Sequence, residues 1–285
     1  MYPPVVTKDP TAVAAAVQSA YLVIFPHGDP TFVSRVFRWA EDCFTGHCQD
    51  YLPVDAPYHD FEHTLQGTLC MSRLLLGWHH STTRPELTRE IVELGLIAIL
   101  LHDTGYLKHR GDADGTGAKY TVTHVKRSAE FAGELLREKG FTPAQIRSVQ
   151  NMIQCTGLEG KVGQIEFSSE LERRVGYALG TADLLGQMAA ADYVEKLPLL
   201  YQEFAEAARF SNGKTHFVAM YSSAEELMRK TPAFWDNFVQ AKLTQDFGGV
   251  YRFLNNPFPD GSNEYIERIK ANISRLRAAT LKTST

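Results

Sequence analysis

Residues 57–67 read PYHDFEHTLQG and place His59 and His63 four residues apart at what reads as the start of a helix. At that spacing both imidazoles lie on one helix face, one above the other. Such a pair can ligate one metal jointly, or one ring can ligate while its neighbour handles protons. Taken alone, a histidine pair is more often packing or capping. A second stretch, ILLHDTGYL at 99–107, sets His102-Asp103 at the end of the apolar run ELGLIAILL, with Gly105 placed to terminate that helix. A buried, unpaired carboxylate there costs several kcal/mol, so a metal or a hydrogen-bond network must satisfy it. The dipeptide itself proves little, since His59-Asp60 repeats it. A third stretch, GTADLLGQMAAADY at 180–193, puts Asp183 among Ala182, Leu184, Leu185 and Met188, where a carboxylate again needs a cation. Imidazole nitrogens mixed with carboxylate oxygens suit octahedral divalent ions such as Mn, Fe, Mg or Zn. They disfavour the thiolate-rich structural zinc class.

The elements that must position these groups read as helices. Asp9-Pro10, Asp29-Pro30 and Thr142-Pro143 each offer a capping side chain followed by a proline at the first helical position. Gln145 completes a capping box with Thr142, as do Glu172 with Ser169 and Glu226 with Ser223. Apolar residues recur at three and four, as in Ile146, Val149, Met152 and Ile153. The spacing predicts helices over 10–25, 30–44, 59–77, 85–104, 120–139, 143–155, 169–190, 192–209, 223–230, 232–245 and 263–279. No alternating β-branched runs with tight turns occur, so a sizeable sheet is not expected. The expectation is an all-α protein, one compact helical domain over 1–285. Its metal-binding core spans about 50–200, with N-terminal helices at 9–45 and C-terminal helices at 200–280. The loop GDADGTGAK at 111–119 reads as a flexible insertion.

Composition narrows the function classes. Twenty-nine basic against 33 acidic residues leave a net charge of -4, which offers no general field for a nucleic-acid polymer or an anionic membrane. The longest apolar run, Leu94 to Leu101, is far short of the ~20 residues a bilayer span needs. The start, MYPPVVTKDP, lacks the basic-then-apolar pattern of a signal peptide. Cys43, Cys48, Cys70 and Cys155 form no C-x-x-C pair and read as reduced, mostly buried thiols, so a cytoplasmic location is expected. An oligomer is compatible with the sequence but not specified by it.

The ordered set His63, His102-Asp103, Asp183 resembles the HD-domain superfamily of metal-dependent phosphohydrolases. That resemblance implies an all-α HD-domain bundle with two divalent ions. All four side chains would hold the first ion, and Asp103 would bridge to the second. Tyr58-His59-Asp60-Phe61-Glu62-His63-Thr64 is similar to the Y-H-N-x-x-H-A signature of cyclic-nucleotide phosphodiesterases. By that resemblance His59 is the general acid for the leaving oxygen and His63 a metal ligand. TVTHVKRSAEFAGELL resembles the family helix after the HD pair, which makes His124 a candidate second-metal ligand or phosphate contact. MIQCTGL at 152–158 resembles its I-x-x-T segment. The match covers roughly residues 50–200. Departures are Asp60 for the family Asn, Thr-Gly-Tyr after the HD pair where a D-H-x-G continuation stands in the family, and Gly157 where an Asp follows the Thr. No C-terminal glutamine that reads a purine is identifiable.

The expected activity is hydrolysis of a small phosphoester, a phosphodiester of cyclic-nucleotide type being the leading substrate. Two ions would stabilise charge on phosphorus and lower the pKa of water, and His59 would donate the proton. The partner of its far nitrogen stays open between Asp60, Glu62 and another carboxylate. The alternatives are an HD-type diiron oxygenase, which usually needs further histidines after the HD pair, and a non-catalytic helical binding module. Lys108, His109 and Arg110 could face a phosphate but read more simply as a solvated loop. Asp112-Ala113-Asp114 superficially matches a calcium loop. Lys119 and Thr123 exclude that, because Thr123 stands where a bidentate Glu should close the site. His27, His47, His79, His80 and His216 read as structural or surface residues, and the aromatics Phe204, Phe210, Phe217, Phe234, Trp235 and Phe238 as core packing that could also cover the site.

Overall fold

A computed structural model describes residues 2–157, 162–211 and 219–283. Among these residues the architecture is all-α: ten α-helices, short 3-10 and π turns, and one two-residue hairpin, β1 (Asn255–Asn256) paired with β2 (Ser262–Asn263). The organising element is α3 (Phe61–Ser81), which buries every side chain from His63 to Leu75. α7 (Glu170–Met188) packs along it, and α4 (Arg89–Leu101) lies against both. α1 (Pro10–Ile24) covers α3 from the N-terminal side, with α2 (Phe32–Phe44) beside it. α5 (His124–Glu138) and α6 (Pro143–Ile153) form an antiparallel pair on the other flank. α8 (Tyr193–Phe210), α9 (Ala224–Phe234) and α10 (Glu264–Thr283) pack together at the remaining side, α10 also reaching α7.

Local chemistry explains where these helices begin. Asp9 accepts from the Thr11 amide at 2.9 Å with Pro10 behind it, and Thr142 with Gln145 closes the expected capping box. Ser169 and Ser223 cap α7 and α9, but Glu172 and Glu226 bond the amides of Ser168 and Ser222, one residue before the cap. Four expectations need correction. Asp29 does not open α2: it accepts from the Thr31 amide in a turn, and the helix starts at Phe32. The predicted helices 223–230 and 232–245 form one helical run, since Pro232 lies inside α9, which continues into π turns at Trp235–Val239 and Lys242–Asp246. The loop 111–119 is pinned rather than free. Lys119 Nζ bonds Asp112 Oδ1 at 2.5 Å and the Asp114 carbonyl at 2.6 Å, so an ammonium stands where a calcium ion would have had to bind. Thr116 bonds Glu206 of α8 through its amide and its hydroxyl.

The fourth correction concerns Gly105. It does not stop α4, which ends at Leu101. A Cβ there would stand 2.0 Å from the His124 carbonyl, so glycine permits the start of α5 to press on the turn after His102-Asp103. The Ser128 hydroxyl accepts from the Gly105 amide at 2.8 Å and fixes that contact.

A second close approach sets the α3–α7 spacing. A Cβ on Gly186 would stand 2.8 Å from the backbone of Gln66 and Gly67, one helical turn after His63 and three residues after Asp183. For Gly186→Ala the intrinsic helix gain of about 1 kcal/mol is set against an overpacking cost of about 1–3 kcal/mol, which a backbone obstacle pushes to the upper end. Chemical denaturation should therefore show a net loss on the order of 1–2 kcal/mol, together with weaker divalent-ion binding. A stabilised protein with unchanged ion binding would refute this account of the contact.

Candidate metal centre

His63 sits in the first turn of α3, where Asp60 caps the helix by accepting from the His63 amide at 2.8 Å. Asp and Asn are equally good caps at this position. His102 caps the C-terminal end of α4, Asp103 follows it in the turn, and Asp183 projects from the middle of α7. These four residues, from three segments far apart in sequence, converge. His63 Nε2 lies 3.2 Å from Asp103 Oδ2 and 3.1 Å from Asp183 Oδ1, and His102 Nε2 lies 3.2 and 3.5 Å from the same two oxygens. All four side chains are buried.

The separations are informative because they are not hydrogen bonds. His102 Nε2 and Asp103 Oδ2 are fully buried and find no hydrogen-bond partner, so both need another means of compensation, which a shared cation would supply. His63 Nδ1 also lacks a partner. Ligands about 2.1 Å from one ion stand about 3.0 Å apart along octahedral edges and about 3.4 Å along tetrahedral ones, close to the 3.1–3.5 Å found here. His102 Nδ1 bonds the Ile99 carbonyl at 2.7 Å, the outer-side contact that fixes a ligand imidazole with Nε2 as its lone-pair nitrogen. Gln187 holds Asp183 by its Nε2 and accepts from the Tyr58 hydroxyl at 2.8 Å. The residues fit a divalent cation.

A second donor set adjoins the first. His59, His63 and Asp103 also bring ligand atoms within reach of one another. Asp103 turns Oδ2 to His63 and His102, while its Oδ1 lies 4.0 Å from His124 Nε2, so its two oxygens face different imidazoles. His124 Nδ1 bonds the Thr121 carbonyl at 2.6 Å, which again leaves Nε2 free to ligate.

His59 is held differently. Its Nδ1 contacts Glu203 Oε2 at 2.5 Å, and Oε1 of the same wholly buried carboxylate accepts from the amides of Tyr58 and His59 at 2.7 and 3.1 Å. The open question about its partner is thereby answered from α8. Asp60 caps α3, and Glu62 bonds Lys196 and Thr7. The Tyr106 ring stacks on His59 at 4.4 Å and on His124 at 4.7 Å, with its hydroxyl 3.5 Å from His59 Nε2. Glu203, Tyr106 and Gln187 were missed from sequence. A glutamate in an amphipathic helix looks like any solvated one, and only its burial marks it.

The other candidates lie elsewhere. Lys108 pairs with Asp55 and bonds the Gly115 carbonyl, His109 stacks on Tyr51, and Arg110 bonds the Gln49 and Gly46 carbonyls, so this run braces a loop. His27, His47, His79 and His80 are exposed, while His216 and Phe217 lie outside the described residues. Phe204 and Phe234 do line the cavity above the cluster, whereas Trp235 is core and Phe210 is exposed beside Lys119.

A family model described as Npun_R2479-like matches residues 111–255, just over half of the chain. The chain belongs to this family. The part held in common with the Npun_R2479-like family carries His124, Asp183, Gln187 and Glu203, together with most of the cavity wall. His59, His63, His102 and Asp103 precede the matched segment. No curated protein matches the chain.

Electrostatics follow from the geometry. Burial alone would lower His63, but Asp103 and Asp183 outweigh it and raise the imidazole to about 9. His102 likewise rises well above its ordinary value against its own burial, held up by Asp103 and Asp183. Burial would raise both aspartates, yet the two imidazoles hold them below the usual carboxylate range. Burial pushes His124 below its ordinary value, which favours the neutral ring. In the ion-free protein His63 is therefore protonated below about pH 9. That stabilising charge is complete below the unfolded value near 6.5 and is lost as pH rises through 9. A divalent ion needs the neutral rings and must displace those protons. Calorimetry in buffers of different ionisation enthalpy should record about one to two protons released per ion at pH 7. Affinity should climb roughly tenfold per pH unit for each proton displaced, flattening above about pH 9. Binding without proton release would contradict the ligand set.

Proposed function

We propose that this chain is a divalent-metal-dependent phosphohydrolase of HD-domain type that cleaves a small phosphoester. The observation that carries it is the convergence of His63, His102, Asp103 and Asp183, with buried unpartnered donor atoms, at the floor of a cavity of about 860 Å³ onto which His59 and His124 also open. Two imidazoles and two carboxylates around one point suit hard divalent ions, and a bridging Asp103 suits a pair of them. Bound there, such ions supply Lewis acidity for the phosphoryl oxygens and lower the pKa of water near the reacting phosphorus.

The remaining work falls to the chain's own residues. Glu203 holds the His59 ring by Nδ1, which turns Nε2 toward the cavity, and sets a negative charge beside the ring. From there Nε2 can deliver a proton to the leaving oxygen. Tyr106 keeps His59 and His124 in parallel stacks, so neither ring can swing away from the phosphoryl group. The buried carboxylate and the two stacked partners fix the geometry of the acid before substrate arrives, and such preorganisation is where enzymes gain rate.

The test is elemental analysis of the purified protein, followed by phosphomono-, di- and triesters offered with Mn, Fe, Zn and Mg. His63→Ala and Asp183→Asn should lose ion and turnover together. His59→Ala should keep the ion held by His63, His102, Asp103 and Asp183 while turnover falls about 10²–10⁴-fold. Glu203→Gln should fall less and in the same direction, with KM little changed. Full activity in all four variants, or oxygen-dependent substrate loss with iron in place of ester hydrolysis, would overturn the assignment.

A further inference from the structure

The cavity over the metal centre has two unlike walls. One, from α5 and α6, carries Lys126, Glu130, Arg147, Gln150, Asn151 and Gln154. The other wall, from α7, α8 and α9, is mostly apolar: Leu184, Met188, Leu197, Leu200 and Leu227, with the rings of Phe204, Tyr221 and Phe234 among them. At about 860 Å³ the space lies toward the upper end of the roughly 300–1,000 Å³ typical of small-molecule sites.

A ligand with a heteroaromatic base needs amides or hydroxyls aimed at its edge. Of the four side-chain amides on these walls, three are engaged within the protein, and that of Gln154, exposed at the end of α6, has no bond among the described residues. Gln150 bonds the Ala129 carbonyl at 2.9 Å, and Asn151 bonds the Glu166 carbonyl at 2.9 Å and Glu172. Gln187 is held between Tyr58 and Asp183. The nearest pair of aromatic rings on that side, Phe204 and Tyr221, stack on each other at 6.2 Å and leave no slot between them. Unbranched or γ-branched side chains such as Met and Leu, by contrast, repack easily around a flexible chain.

We infer that the substrate is an amphiphilic phosphoester, its phosphoryl group at the metal centre and an aliphatic chain along Leu184, Met188, Leu197, Leu200 and Leu227, an inference that rests on the phosphohydrolase proposal. The Arg147 guanidinium, exposed on the facing wall and without a hydrogen bond or ion pair among the described residues, gives the anionic end a positive approach. The charged end of such a molecule meets cations, and its apolar end leaves water.

Binding and turnover test this separately. Non-hydrolysable alkylphosphonates from two to twelve carbons, below their micelle-forming concentrations, are titrated into the full chain loaded with Mn. Alkyl 4-nitrophenyl phosphates of matching lengths are assayed in parallel with cyclic and linear nucleotides. Kd should fall about twofold to fourfold per methylene until the chain fills the cavity, the upper figure being the burial of one CH₂, and kcat/KM should rise in step. Leu200→Asn, at a half-buried wall position, should flatten that dependence while methylphosphonate binds as before. Ester hydrolysis with no dependence on chain length, or with nucleotides preferred, would overturn the inference and leave the phosphohydrolase proposal standing. Absence of hydrolysis on every ester class removes that proposal and the inference with it.

Discussion

Two carboxylates taken out of water, with no hydrogen bond to answer Asp103 Oδ2, set the terms for the rest of the molecule. Burying an ionised carboxylate costs several kcal/mol unless a countercharge is present. Here the countercharges are two imidazoles that gain protons in the ion-free state, and whose Nε2 atoms must give them up when a cation enters. The protein keeps this arrangement among buried helices, with His63, Asp103 and Asp183 facing the cavity. A cluster of this kind is poorly explained as a packing device, since apolar residues of similar volume would fold as well or better.

Placing the cluster required helices to meet at distances set by missing side chains. Gly186 lets α7 approach the backbone of α3 just beyond His63, and Gly105 lets α5 reach the turn that carries Asp103. Capping chemistry takes part as well. Asp60 fixes the first turn of α3 through the amide of His63 itself, so the helix end and the ligand share one residue. Backbone and site are therefore specified together, and little of the core can be changed without being felt at the four donors.

How much of this could be read in advance depended on range. Helix existence was legible wherever caps and three-four periodicity agreed, as at Thr142-Gln145 over α6. The convergence of His63, His102, Asp103 and Asp183 was legible because a charged residue inside an apolar run demands a partner. What escaped notice were contacts that only the folded chain brings together. Glu203 looks solvated in YQEFAEAARF, and only the fold seals it against His59. Pro232 read as a helix start because proline usually is one, whereas packing carries the helix through it. The loop 111–119 read as loose because its glycines were visible and its tethers, Glu206 and the turn of Lys119 onto Asp112 and Asp114, were not.

Those tethers give α8 a double duty. One turn of it supports His59 through Glu203, and the next clamps Thr116 through Glu206. The surface segment after the HD turn and the ring facing the cavity are thus mounted on a common beam. For engineering, the glycine-rich stretch is a poor place for loop grafts or affinity tags despite its outward appearance. Whatever strain an insertion introduces there passes from Glu206 to Glu203 along α8, and so to the His59 imidazole.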